Sequence, residues 1–177
     1  MDDDARFREL FVAHLPAVRA YARHRGLRGA DVEDLAADVF TVAWRRLRDV
    51  PADDPKPWLL AVARNHWRNH VRAGQRRTKL TALVSQEEIV RIGNDHDLDV
   101  APVLAAMASL SEADQEVLKL VAWDELSPAQ AAVVLGCSDG AARVRLHRAR
   151  ARLAAAVTER EVGTAERTTV PDDGGAR

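Results

Sequence analysis

The amino-acid sequence predicts an all-α protein made of two small helical domains joined by a flexible linker, the second containing a helix-turn-helix. Apolar residues recur every three or four positions through most of the 177 residues, which is the spacing of amphipathic helices. This periodicity is lost over residues 79–101, where the run 93–99 is acidic and rich in turn formers. With 47% hydrophobic and 30% charged residues, the chain can bury a core on either side of that linker.

The first domain, residues 1–78, is predicted to contain three long helices. The first is expected over 5–25, ended by Gly26 and Gly29, and Asp31 is expected to cap the second. Pro57 fits the first position of a third helix over 58–73. The predicted inward-facing residues are Phe7, Leu10, Phe11, Leu15, Val18 and Ala22, then Val32, Leu35, Val39, Phe40, Ala43 and Leu47, and finally Leu59, Val62, Ala63, Trp67 and Val71.

The second domain is predicted over residues 102–157. Ser111 and Ser127 each begin a pattern typical of a helix N-terminus, and Pro128 fits a first helical position. A tight turn over 135–138 then leads to a last helix that ends near 157, with Ser138 as its cap. The remaining residues, 158–177, are predicted to form a disordered tail.

The net charge of −1 conceals two basic segments in an acidic background. Residues 55–86 carry seven Lys or Arg and no acid, and residues 140–158 carry five Arg and no acid. Arginine is well suited to bidentate contacts with phosphate and guanine. The two segments therefore predict two surfaces for a polyanion.

The second basic segment lies on the last helix. Ala142, Leu146, Ala149 and Leu153 fall on one face, which is expected to pack inward. The opposite face carries Arg143, Val144, His147 and Arg148. In a helix-turn-helix the second helix enters the major groove, so these four residues are the candidates for contacts with DNA. The alternative is a solvated basic face on an ordinary helical hairpin.

The first basic segment has a different composition. Arg64, Arg68 and Arg72 share one helical face, with Asn65 and Asn69 beside them, on a helix that also carries Trp58 and Trp67. Basic side chains with amides and aromatic rings suit a groove for unpaired bases. The alternative makes the arginines solvated and the tryptophans part of the core, and we expect both tryptophans to be buried in either case.

No catalytic or cofactor site is predicted. His66 and His70 have the i, i+4 spacing of metal ligands, but no third ligand is evident, so a metal-dependent enzyme is the weakest hypothesis. The lone Cys137 excludes an internal disulfide. The sequence shows neither a membrane span nor a secretory signal, and a cytoplasmic location is expected.

Residues in both halves resemble a known family, the extracytoplasmic-function (ECF) sigma factors of bacterial RNA polymerase. Asp31-Val-Glu-Asp-Leu-Ala-Ala-Asp-Val-Phe-Thr-Val-Ala-Trp44 is similar to their region 2.2, and Trp58-Leu-Leu-Ala-Val-Ala-Arg-Asn65 is similar to regions 2.3 and 2.4. The run from Leu110 to Arg150 resembles region 4. The resemblance covers about 5–78 and 102–156.

The resemblance implies a role for each group of residues. Asp34, Leu35, Asp38 and Phe40 match the surface that docks on the β′ clamp helices of core RNA polymerase. Arg64, Asn65, Arg68, Asn69 and Arg72 match the residues that read and open the −10 element, with Asn65 at the flipped base. Arg143, Val144, His147 and Arg148 match the −35 reading positions.

The implied function is transcription initiation from −35 and −10 promoter elements, with no catalytic chemistry. The implied partners are core RNA polymerase, through the β′ clamp helices and the β flap, and promoter DNA. Many relatives are controlled by an anti-sigma factor, which makes such a protein a further candidate partner. The competing hypothesis is a stand-alone helix-turn-helix transcriptional regulator, and binding to specific DNA without core polymerase distinguishes it.

Overall fold

The computed structural model describes residues 2–80 and 101–168, and within these ranges the chain forms seven α-helices and one short 3-10 helix, with no strand. The predicted all-α fold is therefore confirmed for this part of the chain. The predicted linker lies almost entirely outside the described residues. The helices are α1 Asp3–His24, α2 Ala30–Arg45, α3 Pro55–Leu80, α4 Ala101–Ala108, α5 Glu112–Ala122, α6 Pro128–Leu135 and α7 Asp139–Thr168, and the 3-10 helix is Leu47–Asp49.

The first unit, α1 to α3, packs its three helices around a shared core. Val18, Tyr21, Val39, Leu59 and Leu60 are fully buried there. All but Tyr21 and Leu60 lie at positions that the apolar periodicity assigned to the core. Most core side chains on the three helices thus follow from helical spacing, since one face of each helix is apolar. Phe11, which was also predicted to face inward, is 37% exposed.

Two helix starts in this unit differ from the sequence prediction. Gly29 precedes α2 with a φ of 52° and no side-chain capping bond, so the expectation that Asp31 caps this helix is wrong. Asp31 instead lies in the first turn, where its negative charge interacts favourably with the positive end of the helix dipole. Helix α3 begins at Pro55 rather than near Pro57. Both prolines fit there, because the first N–H groups of a helix have no partner within it.

The second unit, α4 to α7, begins its helices where the capping signals predict. The Ser111 side chain accepts a hydrogen bond from the Asp114 backbone N–H, and Ser127 forms a reciprocal capping box with Gln130. Gly136 ends α6 with a φ of 67°, a left-handed conformation that favours glycine. Ser138 accepts from the Ala141 backbone N–H at 3.2 Å, as expected for the cap of α7.

Helix α7 extends to Thr168, which is past the end predicted near 157. Residues 158–168 are therefore helical and not part of a disordered tail, while 169–177 lie outside the described residues. The three alanines at 154–156 and the Glu and Arg residues that follow are strong helix formers. Their intrinsic propensity favours continuation past 157, although Val162, Gly163 and Thr164 in the same stretch are weak helix formers.

The two units pack against each other. Leu120, Leu126, Ala131 and Val134 of the second unit belong to the same buried cluster as the core of the first unit. Helices α3 and α6 are in contact across this boundary. The sequence suggested two domains on a tether, and the structure gives them a common apolar interface.

Candidate nucleic-acid interface

The N-terminal half of α7 presents the predicted DNA-reading face to solvent. Ala142, Leu146 and Ala149 are buried, as the periodicity predicted. Arg143, Val144, His147 and Arg148 are exposed on the opposite side. Helix α6, the turn and α7 therefore have the geometry of a helix-turn-helix, and the exposed face of α7 is accessible to a major groove.

Arg143 is held by an acidic residue one turn earlier. Its Nε and Nη2 donate to the two carboxylate oxygens of Asp139 at 3.1 and 2.7 Å. The Arg143 and Asp139 side chains are 67% and 45% exposed, so the pair is solvated and weak. Any other anion that binds Arg143 must replace Asp139 or share the guanidinium with it.

The basic face of α3 is divided by its contact with the second unit. Asn65, Arg68, Asn69 and Arg72 are exposed. The Arg64 side chain is only 17% exposed, and its Nε lies 3.7 Å from Glu116 Oε1. The structure therefore keeps four of the five candidate −10 residues accessible and covers the fifth.

The two tryptophans of α3 are only half-buried, so the expectation of core burial is met in part. Trp58 packs against the main hydrophobic cluster, and the Arg46 guanidinium carbon lies 5.9 Å from its ring centroid. The amphipathic ring thus connects the core to the basic surface.

The four residues matched to the polymerase-docking surface fall into two sets. Asp34 and Asp38 are exposed on α2. Leu35 and Phe40 are only 6% and 3% exposed and belong to the core. Only Asp34 and Asp38 of these four residues are therefore accessible to another protein, whereas Leu35 and Phe40 pack α2 onto the core.

The histidine pair on α3 gains no further metal ligands. His66 Nδ1 lies 3.2 Å from Asp38 Oδ2 on the neighbouring helix. Among the residues that the structure describes, no group of three or more His, Cys, Asp or Glu side chains is arranged to hold a metal ion. The contact of His66 with Asp38 connects α2 to α3.

A buried cluster of charges between the units was missed by sequence reasoning. Arg25, at the end of α1, donates from Nε and Nη2 to the two oxygens of the Glu116 carboxylate, both at 3.1 Å. Its Nη2 also lies 3.0 Å from Asp124 Oδ2. The His24 Nδ1 is 2.9 Å from Asp124 Oδ1. The Tyr21 hydroxyl donates to Glu116 at 3.2 Å, which completes the cluster.

Burial and charge act in opposite directions on the pKa values in this cluster. Burial alone lowers the pKa of Arg25, but Tyr21 and the two carboxylates outweigh it and raise that pKa, so the guanidinium stays charged. Burial raises the pKa of Tyr21 well above its usual value, and the phenol stays neutral. Glu116 stands four residues before Leu120 on one helical face, which indicates that it faces inward but does not identify its partners.

The fold and the two basic faces define a helical DNA-binding protein of two units. The family model for Sigma-70 region 2 matches residues 10–77, and the model for Sigma-70 region 4 matches residues 101–153. These matches coincide with the first and second units of the structure.

Similarity to individual proteins identifies the subfamily of sigma factors. The RNA polymerase sigma factor CnrH of Cupriavidus metallidurans is 32% identical over 162 residues, covering 84% of this chain and 85% of its own. The ECF RNA polymerase sigma factor SigC of Mycobacterium tuberculosis is 35% identical over 127 residues, covering 70% and 68%. The sigma factor RpoE of Bartonella quintana, solved with the anti-sigma factor NepR, has a TM-score of 0.68 and 27% identity, covering 86% and 96%.

The chain belongs to the ECF subfamily of the sigma-70 RNA polymerase sigma factors. Its function is that of a transcription initiation factor, which binds core RNA polymerase and promoter DNA. The helices in the described part of the chain include none that is long and apolar enough to cross a membrane.

Proposed function

We propose that the two units divide promoter recognition between them, the second reading the −35 element and the first reading and opening the −10 element. The observation that carries this proposal is the exposed basic face of α7, on the second helix of a helix-turn-helix inside the region 4 match. The proposed −35 residues are Arg143, Val144, His147 and Arg148, and the proposed −10 residues are Arg64, Asn65, Arg68, Asn69 and Arg72.

At the −35 element, α7 enters the major groove with its first three turns against the bases. Arg143 and Arg148 contact guanine or phosphate, and the Val144 side chain, which is 51% exposed, offers an apolar contact to a thymine methyl group. The pair with Asp139 keeps Arg143 extended along the helix until DNA replaces the carboxylate.

At the −10 element, the basic face of α3 follows the unpaired strand. Asn65 binds the edge of a base taken out of the stack, while Arg68 and Arg72 contact the backbone. Taking a base out of the stack costs a few kcal/mol, which the surrounding phosphate contacts offset. Asp34 and Asp38 on α2 form the charged part of the surface for core polymerase.

We further propose an anti-sigma protein as a partner and the cytoplasm as the compartment. The support for the partner is the similarity to RpoE in its complex with NepR, which covers 86% of this chain and therefore both units. Core polymerase and the chromosome are in the bacterial cytoplasm, which supports the compartment. The protein itself adds no catalytic step, because the polymerase supplies the chemistry.

Run-off transcription from a mixed genomic template tests this function. Core polymerase alone and core polymerase with this protein are compared, and new discrete start sites are expected only with the protein. The aligned upstream DNA then defines both promoter elements. Specific DNA binding by the protein alone, with neither new start sites nor binding to core polymerase, would favour the stand-alone regulator.

A further inference from the structure

We propose that Arg25, Lys56 and Arg64 form a phosphate-binding site on the first unit, and that Glu116 and Asp124 of the second unit occupy it in place of a DNA phosphate. The inference rests on the proposed function only in naming promoter DNA as the source of the phosphate. The proposed site adds Arg25 and Lys56 to the DNA-binding residues. It also makes the contact between the units one that blocks binding of DNA to the first unit.

The geometry at Arg25 is that of an oxyanion site. The guanidinium of Arg25 binds Glu116 with two parallel hydrogen bonds of 3.1 Å, an arrangement that serves phosphate as well as carboxylate. The Arg25 side chain has no exposed surface, and Glu116 and Asp124 retain 8% and 2% of theirs. An anion is therefore required here whenever the two units are packed together.

Two further cations of the first unit contact the same two residues, one at the backbone and one at a carboxylate. Lys56 Nζ, at the start of α3, donates to the Asp124 carbonyl oxygen at 2.6 Å. Arg64 lies near the Glu116 oxygen that accepts from Arg25 Nη2. The first unit thus contributes three positive charges to a boundary where the second unit places two carboxylates. Separation of the units leaves a cationic surface continuous with the basic face of α3.

The carboxylates fill this site incompletely. Arg64 Nε is buried and has no hydrogen-bond acceptor, since its 3.7 Å distance to Glu116 is too long for a hydrogen bond. Asp124 Oδ2 is buried and makes no hydrogen bond either, although it lies 3.0 Å from Arg25 Nη2. The Arg64 N–H without an acceptor favours an alternative that supplies one. A DNA phosphate at Arg64 and Arg25 is such an alternative.

The second unit and the −10 strand therefore compete for the same surface of the first unit. The protein is closed when the two units pack together and open when they are separated. Packing of the units covers Arg64 and Arg25, so the free protein binds the −10 strand with its full set of contacts only in the fraction of molecules that are open. Neutralising the two carboxylates leaves Arg25 buried without a counter-charge. This penalty is relieved when the units separate and water reaches the guanidinium.

The first test measures the distance between the units in the full chain. Nitroxide labels at Glu9→Cys and Ala154→Cys, both exposed sites, are placed in a Cys137→Ser background and read by double electron–electron resonance. The variant E116Q/D124N is expected to shift the distance distribution to longer values. Its matched control is E112Q/E125Q, which removes two exposed carboxylates from the same unit and is expected to keep the closed distance.

The second test measures phosphate binding by fluorescence anisotropy, with a fluorescein-labelled oligo-dT single strand as the probe. E116Q/D124N is expected to bind about tenfold more tightly than E112Q/E125Q, because the open fraction limits apparent affinity. Adding Arg25→Gln to E116Q/D124N is expected to weaken binding again. The same change is expected to reduce the slope of log K against log salt by about 0.7, the contribution of one phosphate contact on a single strand.

Each result supports or overturns the proposal. An unchanged distance in E116Q/D124N, with circular dichroism showing intact helices, would overturn the role of the two carboxylates in closure. An open chain in which Arg25→Gln leaves affinity and salt slope unchanged would overturn the phosphate site. Neither measurement uses polymerase, so a failure of the sigma-factor function appears separately, as an absence of run-off products.

Discussion

Replacing Asp139 by asparagine is expected to strengthen binding of the −35 element. Asp139 forms the bidentate pair with Arg143 on the DNA-reading face of α7. Before Arg143 contacts a base or phosphate, this pair must break or rearrange. Asparagine keeps the shape of the side chain, removes the charge that holds Arg143, and also removes a negative charge that faces the DNA phosphates.

The size of the expected gain in DNA affinity follows from the solvent exposure of the Asp139–Arg143 pair. Both side chains are well exposed, and pairs of this i, i+4 kind in solvent contribute about 0.3–0.5 kcal/mol. Removing one carboxylate beside the phosphate backbone adds a similar amount in high dielectric. The total of about 0.5–1 kcal/mol corresponds to a gain in affinity of about twofold to fivefold. Arg143→Ala is expected to lose about 1–3 kcal/mol if Arg143 contacts guanine.

The assay is fluorescence anisotropy of holoenzyme on a duplex that carries the −35 element found by run-off transcription. Asp139→Asn, Arg143→Ala and their double variant form a cycle, and Glu112→Gln is the control for charge in the same unit. The gain from Asp139→Asn is expected to shrink when Arg143 is absent. A loss of affinity in Asp139→Asn would refute the reasoning and make Asp139 a residue that positions Arg143 for DNA.

Three further predictions concern stability and promoter opening. Burial alone raises the pKa of Asp114, but hydrogen bonds from Ser111 and Arg152 outweigh burial and lower that pKa. The stability that the Asp114 carboxylate contributes is therefore complete above about pH 4, and it is lost as the pH falls through the lowered pKa. The difference in urea unfolding between wild type and Asp114→Asn should therefore be larger at neutral pH than in acid, and an equal difference at both would contradict this assignment. Gly136→Ala should destabilise the protein by about 1–2 kcal/mol in thermal unfolding, because φ is +67° there, whereas an unchanged midpoint would mean that the turn rearranges. Asn65→Ala should slow promoter opening, measured by permanganate reactivity of unpaired thymines, more than it weakens core binding, and the reverse order would place the −10 surface elsewhere.

Local signals explain why most of the helices were predictable. Ser111, Ser127 and Ser138 each accept a backbone hydrogen bond at the helix start where the sequence predicts a cap. A cap depends on residues two or three positions apart, so it is visible in the sequence. The start of α2 at Ala30, after Gly29, was missed because a glycine cap leaves no side-chain signal.

The candidate site was predictable to the extent that exposure follows from helical spacing. The four α7 residues are exposed and their opposite face is buried, as the sequence indicated. On α2 helical spacing correctly assigned Leu35 and Phe40 to the core, whereas the resemblance assigned them to a docking surface. A family match identifies positions in a motif, whereas burial depends on which helices pack around them.

The sequence by itself determined the helices, the basic faces of α3 and α7, and the resemblance to ECF sigma factors, because each depends on residue types at short, fixed spacings. The tertiary structure alone decided that the two units pack together and that Arg25 meets Glu116, a residue 91 positions away. Contacts over such separations depend on how whole helices assemble, and helical periodicity carries no information about them. For the same reason, only the folded chain shows that the second unit covers Arg64.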